Sequence, residues 1–225
     1  MCGRYTETAA FEELARRFGI EVEEGDNEAM VARYNVSPTQ PVPIVVIADG
    51  RRRLVSARWG LRPYWARAGR LAPINARAET LATSAMFRDA LRRWRCLIPA
   101  DGFYEWQAVA GQKRKQPWYL RLRDGGLFAF AGLFTPGHPH RGEPATCAII
   151  TTEPNALAAR LHDRMPVILE PDAEARWLDP QVVEGGAVLP LLRPFPAERM
   201  EAYPVSTLVS SPQNDGPALV EPAPA

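Results

Sequence analysis

An α+β domain of antiparallel strands flanked by short helices is what this chain predicts, on three observations. Short apolar runs bounded by Gly, Pro and Asp recur along it, as strands do. Two segments instead carry an apolar period of 3.6 residues. An Asp124-Gly125-Gly126 turn joins two of the apolar runs as a hairpin would, which argues for antiparallel pairing over a doubly wound parallel sheet. Taken in order, Phe11, Leu14, Ala15 and Phe18 predict an amphipathic helix over about 8–18 that stops at Gly19. The run Pro-Ile-Val-Val-Ile-Ala predicts a strand at 43–48. Phe87, Leu91 and Trp94 predict a helix over about 79–95. Strands are expected at 117–123, 127–134, 145–152 and 166–170, with short helices at 155–162 and 172–178. The 22 prolines and 16 glycines are spread rather than gathered into a linker, so a single domain over 1–216 is expected, followed by a loosely held tail over 217–225.

Composition narrows the function classes. With 225 residues, 46% hydrophobic and 24% charged, the chain suits one substantial core. No apolar stretch approaches the roughly 20 residues of a membrane helix, and no charged-then-apolar leader is present, so a cytoplasmic protein without a membrane partner is expected. Cys2, Cys96 and Cys147 are an odd number with no CxxC or Cys/His pairing, so neither a disulfide framework, a metal site nor a cofactor is called for. The net charge of +1 hides an uneven spread. Residues 51–95 carry twelve arginines against Glu79 and Asp89, a local charge of +10, whereas residues 1–30 carry −5. Such a segment reads as a phosphate-facing surface, with a solvated face as the alternative.

The most informative residue is Cys2. Removal of Met1 would leave a terminal residue bearing two nucleophiles, an α-amine with an ordinary pKa near 7.7–8.0 and a thiol near 8.5. Such a 1,2-aminothiol condenses with an aldehyde through nitrogen and closes a thiazolidine ring through sulfur. The plain alternative is a small residue that happens to follow the initiator.

Four other segments carry candidate chemistry. Ile74-Asn75-Ala76-Arg77-Ala78-Glu79-Thr80 gathers an amide, a guanidinium and a carboxylate, or simply starts a helix. Asp101-Gly102-Phe103-Tyr104-Glu105-Trp106 sets a carboxylate in an aromatic run, where desolvation raises its pKa, unless Glu105 points outward from a strand edge. Leu161-His162-Asp163-Arg164-Met165-Pro166 holds the most interesting of three histidines; His138 and His140 lie in a Gly/Pro-rich loop and are expected to be solvated. Ser210-Ser211-Pro212-Gln213-Asn214-Asp215-Gly216 reads mainly as a turn.

In this order, Cys2-Gly3-Arg4-Tyr5, Arg33-Tyr34-Asn35-Val36-Ser37-Pro38, Arg58-Trp59-Gly60-Leu61, Ile74 to Thr80, Ile98 to Trp106 and Leu161 to Pro166 resemble the SRAP (SOS-response-associated peptidase) family of abasic-site processing proteins. The likeness runs from residue 2 to about 216. It implies an antiparallel, partly barrel-like β core with short helices. It also implies a DNA-damage function: trapping of the abasic-site aldehyde in single-stranded DNA as a covalent protein–DNA crosslink. By resemblance Cys2 is the nucleophile, Asn75 holds the terminal residue and the sugar, Glu105 assists ring opening and proton transfer, and His162 handles protons at the Schiff base and in reversal. Arg4 and Arg77 match phosphate contacts, and Pro38, Trp65 and Met86 match an apolar surface for DNA bases. The stretch between Trp65 and Asn75 is richer in arginine than the family pattern and lacks a second adjacent tryptophan. The resemblance implies a monomer, nucleoid-associated when bound to DNA.

The chemistry agrees with these roles. The abasic sugar is mostly a closed hemiacetal, so an acid or base near the ring oxygen helps expose the aldehyde. Imine formation needs neutral amine, and neighbouring Arg4 and Arg77 would favour it. A Schiff base at C1′ acidifies the C2′ proton, so lyase-type strand cleavage is an available side reaction that thiazolidine closure suppresses. Two other readings stand beside this one: a thiol peptidase or autopeptidase using Cys2 with His162 and Glu105, and a non-catalytic single-strand DNA-binding module.

Overall fold

The computed structural model describes residues 2–21, 31–63, 65–66, 72–111, 113–137 and 142–223. Among them the strands are β1 (Tyr5–Glu7), β2 (Arg33–Val36), β3 (Pro41–Ala48), β4 (Arg51–Trp59), β5 (Asn75–Arg77), β6 (Arg95–Ala100) and β7 (Gly102–Gln107). They continue with β8 (Gln116–Leu122), β9 (Phe128–Thr135), β10 (Ala145–Thr152), β11 (Met165–Pro166), β12 (Ile168–Leu169) and β13 (Met200–Pro204). Three α-helices, α1 (Phe11–Phe18), α2 (Arg88–Arg93) and α3 (Pro171–Leu178), and several single 3₁₀ turns lie between them.

The strands form two sheets. One runs β13-β8-β7-β1-β2, antiparallel throughout. In the other, β3 pairs β4, β4 pairs β10, β10 pairs β9, β9 pairs β6, and β6 returns to β3 at Val45↔Leu97. That ring is a five-stranded barrel, only partly closed because its last seam is a single paired position. The α+β class and the barrel-like core are therefore as expected. Antiparallel pairing predominates, but β10 runs parallel to β4 and then to β5. Where β4 leaves the edge of β10 after Cys147, β5 takes it over with Asn75 opposite Ile149.

Burial explains why these segments adopt these elements. The even-numbered positions of β3, Val42, Ile44 and Val46, join Cys96, Ile98, Phe130 and Ile149 in a core cluster that also takes Tyr5, Phe103 and Leu120 from the other sheet. The opposite faces, with Val45, Leu97, Ala131 and Ile150, pack against Phe11, Leu14 and Phe18 of α1 and Trp177 of α3. The alternation of strand residues thus serves two cores at once. Gly19 ends α1 in the left-handed conformation at φ 62°, its N–H on the Ala15 carbonyl. Gly102 is required by close approach, since a Cβ there would sit 2.1 Å from the Tyr119 hydroxyl.

Several expectations are corrected. The Asp124-Gly125-Gly126 turn closes no hairpin: β8 pairs β7 and β13, whereas β9 pairs β6, β10 and β12, so the turn passes the chain from one sheet to the other. The helix expected over 79–95 is a 3₁₀ turn at Ala78–Thr80, further turns and the short α2, because Arg95 already opens the fully buried β6. Only Ala158–Arg160 is helical within 155–162, and 166–170 splits into β11 and β12, which pair different strands. The tail is not loose up to residue 223. Pro217–Val220 forms a 3₁₀ turn with Leu219 buried, Pro222 bridges Val205, and the Tyr203 hydroxyl donates to the Val220 carbonyl. Residues 224–225 lie outside the described residues, as do His138 and His140.

Candidate functional site

Cys2 precedes β1 and is wholly buried, and its carbonyl accepts a 2.8 Å hydrogen bond from Nδ2 of Asn75. Asn75 is held there by its place on β5, against Ile149 of β10. Its other amide atom, Oδ1, is buried without a hydrogen-bond partner. A buried acceptor in that state has capacity for one donor more.

Glu105 sits on β7, flanked by β1 and β8, and is only 3% exposed, as the desolvated reading expects and not as the alternative of an outward residue at a strand edge would have it. Alternation turns it and Phe103 to one face and Tyr104 and Trp106 to the other, where they join the Tyr119, Val205, Val209 and Leu219 cluster. Burial pushes the Glu105 carboxyl up to about 7, opposed by the charge of the amino terminus. The Cys2 thiol is driven well above its ordinary value, first by burial and then by Glu105. His162 is lowered, first by burial and then by the amino terminus, with Asp163 opposing. Glu105 acts electrostatically on the Cys2 thiol and is itself acted on by Asp163, the neighbour of His162, which relates three of the four sequence-expected residues. The fourth, Asn75, touches Cys2 directly.

The segment bearing His162 is pinned on two sides. Gln107, two residues along β7 from Glu105, donates from Nε2 to the Arg160 carbonyl at 3.0 Å and accepts from the Trp118 indole. Arg164 makes a bidentate pair with Glu79 at 2.8 and 2.9 Å and donates to the Thr151 carbonyl at 2.7 Å. One tie reaches the strand of Glu105; the other reaches the turn that follows Asn75. Sequence reading missed both roles, although the alternation that puts Gln107 on the Glu105 face was available to it. A third lock ties β1 to the β6–β7 turn and to β8: the Asp101 carboxylate accepts from the Thr6 and Thr8 hydroxyls and from the Thr8 N–H, and Thr6 also meets the Tyr119 hydroxyl at 2.9 Å.

The expected DNA contacts are distributed unevenly. Arg77 is exposed at the end of β5. Arg4 is half-buried: its Nη1 donates to Asn35 Oδ1 at 2.7 Å and to the Val209 carbonyl at 2.8 Å, and the guanidinium lies over the Trp106 ring. Asn35 in turn donates to the carbonyls of Ser211 and Asn214, which fastens the segment read as a mere turn. Trp65, 51% exposed, and Met86 line one small cavity of about 50 Å³ with Leu61, Arg62 and Pro73. Pro38 is a half-buried turn residue away from that cavity's lining. The basic middle is not one phosphate face. Arg95 is buried and caps carbonyls of Leu91, Trp177 and Asp179, Arg52 donates to the Phe18 carbonyl, and Arg51 and Arg62 pair with Glu21 and Glu143. Arg67 and Arg70 lie outside the described residues. Among the described residues no three His, Cys, Asp or Glu side chains gather as a metal site, and no helix is long and apolar enough to cross a membrane.

A partly closed barrel backed by a second sheet, with a cysteine ahead of the first strand held by an asparagine beside a buried carboxyl, defines a distinct class of domain. Residues 1–212 match the family described as SOS response associated peptidase (SRAP), and the chain belongs to that family. It is 43% identical to the abasic site processing protein YoqW of Bacillus subtilis (strain 168), over 98% of this chain and 99% of that protein. It is 30% identical to the abasic site processing protein YedK of Escherichia coli (strain K12), over 99% of this chain and 100% of that protein. Among solved structures, a protein from Bacteroides thetaiotaomicron matches with a TM-score of 0.86 at 28% identity, covering 99% of this chain and 100% of that one.

Proposed function

We propose that this protein processes abasic sites in single-stranded DNA by capturing the ring-opened sugar aldehyde on Cys2. The observation that carries the reading is the Asn75 amide, which grips the Cys2 carbonyl at 2.8 Å while keeping a buried oxygen in reserve. With Met1 removed, that oxygen is a ready acceptor for an amine or sugar hydroxyl proton. The names of the relatives, which span nearly the whole chain, support the abasic site as the lesion acted on.

The chemistry follows from the groups present. Glu105, poised near 7, can give a proton to the sugar ring oxygen or take one from the hydroxyl, exposing the aldehyde. The Cys2 amine adds to C1′ and water leaves, forming the imine. The thiol then adds across the C=N bond, its proton passing to nitrogen, and the thiazolidine closes. His162, whose proton affinity is lowered by burial, can exchange protons with the imine and with the adduct during reversal. Arg77 offers charge to a phosphate, and Trp65 with Met86 offers an apolar face to bases, neither of which reads sequence. Peptidase chemistry is less well supported, because a thiol peptidase needs a ready thiolate and burial drives the Cys2 thiol the other way.

Intact-mass measurement after incubation with an abasic oligonucleotide tests the proposal. Wild-type protein should lose Met1 and gain one oligonucleotide in a heat-stable adduct. Cys2→Ala should form no heat-stable adduct yet bind DNA nearly as well, since the phosphate and base contacts lie elsewhere. An undiminished stable adduct in that variant would overturn the assignment.

A further inference from the structure

Two neighbours ask opposite things of one nitrogen of His162. The Arg164 backbone N–H donates to Nδ1 at 3.0 Å, which requires a lone pair there and leaves the proton of a neutral imidazole on Nε2. An Asp163 carboxylate oxygen lies 2.7 Å from the same Nδ1, where it can only accept, and so requires Nδ1–H. A single ring nitrogen cannot satisfy both at once. We propose that Asp163 is a positioning residue that competes with the Arg164 N–H for Nδ1 and so decides whether Nε2 of His162 donates or accepts a proton. This rests on the reading of His162 as the proton-handling group.

The consequence is chemical rather than geometric. With Nδ1 on the Arg164 amide, neutral His162 presents only Nε2–H, and giving that proton away would leave an imidazolate, which is inaccessible near neutral pH. With Nδ1–H on Asp163, Nε2 carries the lone pair and accepts a proton from the substrate. The resulting imidazolium keeps Nδ1–H on Asp163 and later returns the Nε2 proton. The acid–base cycle therefore runs between the cation and the tautomer that Asp163 favours.

The surrounding charges leave Asp163 as the group that opposes the others. The amino terminus and Lys115 act against a charged imidazole, as does burial, whereas Asp163 favours one. The Arg164 guanidinium is turned away onto Glu79 and Thr151, so Arg164 meets the ring through its backbone amide. Glu105 feels Asp163 as well, which links the two proton-handling groups. Asp163 itself is 86% exposed, so its leverage is that of a surface contact. It should move the His162 titration by about 0.2–0.7 pH units and a His162-dependent rate by about two- to fivefold.

The test is imidazole ¹⁵N NMR on the DNA-free full chain, whose three histidines are assigned with His162→Ala. In Asp163→Ala the neutral ring should shift toward the Nε2–H tautomer and titrate lower. Asp163→Asn should titrate as low but retain more of the Nδ1–H tautomer, since its amide oxygen still accepts. The pH profile of crosslink reversal should move with the titration in both variants, while thermal unfolding stays put. A tautomer ratio and midpoint in Asp163→Ala equal to wild type would overturn the proposal. If His162→Ala leaves both capture and reversal unchanged, the catalytic role of His162 falls, and the NMR comparison still decides what Asp163 does to the ring.

Discussion

Replacing Glu105 with glutamine should slow the chemistry and stabilise the fold at the same time. The carboxyl sits at about 7 in the folded protein against an ordinary 4.5, mainly through burial. At about 1.4 kcal/mol per pH unit, that difference corresponds to roughly 3 kcal/mol by which folding disfavours the ionised group. The sign follows from which state gives up its proton first. Below about 4.5 both states hold the proton and nothing is lost. From about 4.5 to 7 the unfolded chain releases it while the folded protein keeps it, so stability declines; above 7 the penalty is constant. Glu105→Gln cannot ionise, so urea unfolding should find it more stable than wild type at pH 8, by up to about 3 kcal/mol, with the two converging toward pH 4.5. Capture of an abasic single strand should fall by about 100-fold or more, the usual worth of a general acid–base group. Reaction with a simple aldehyde, which has no ring to open, should fall much less. A gain in stability joined to a loss of rate is the signature of a group kept for function against its own solvation. A variant that captures at the wild-type rate, or is less stable across pH 5–8, would refute the argument.

Two further perturbations test the surroundings. Arg77→Ala, which removes an exposed cation at the end of β5, should weaken binding of intact and abasic single strands alike and lower the salt slope by about one; equilibrium titrations at several salt concentrations measure this, and a loss confined to abasic DNA would make Arg77 part of the chemistry instead. Glu7 is 3% exposed, lies 3.9 Å from the Arg33 guanidinium and is pushed up to about 8 by burial. Between about pH 4.5 and 8 it should contribute up to about 1.4 kcal/mol per unit to the decline in stability; Glu7→Gln should remove that contribution in pH-resolved urea unfolding, and an unchanged slope would show that Glu7 is ionised in the fold.

What was legible in the sequence divides along the range of the interactions involved. Helix α1 was readable because Phe11, Leu14, Ala15 and Phe18 meet one core and Gly19 supplies the left-handed cap, all within one stretch of chain. The turn at 124–126 was read as a hairpin because its local chemistry is that of one, whereas which sheet each flanking strand joins is decided by partners far along the chain. Twelve arginines in one segment suggested a single phosphate face, yet Arg95 is spent on helix-end carbonyls that only folding brings together.

The site follows the same rule. Short motifs name Cys2, Asn75, Glu105 and His162 as candidates, but what ties their segments together is bonds to backbone carbonyls: Asn75 to Cys2, Gln107 to Arg160, Arg164 to Thr151. A carbonyl has no letter in a sequence, so such ties leave no compositional trace. The residues that make them are nonetheless those that bind β1, β5, β7 and the His162 turn into one unit. A substitution at Gln107 or Glu79 should therefore disturb the relation between Glu105 and His162 without touching either, and motif reading by itself would class it as silent.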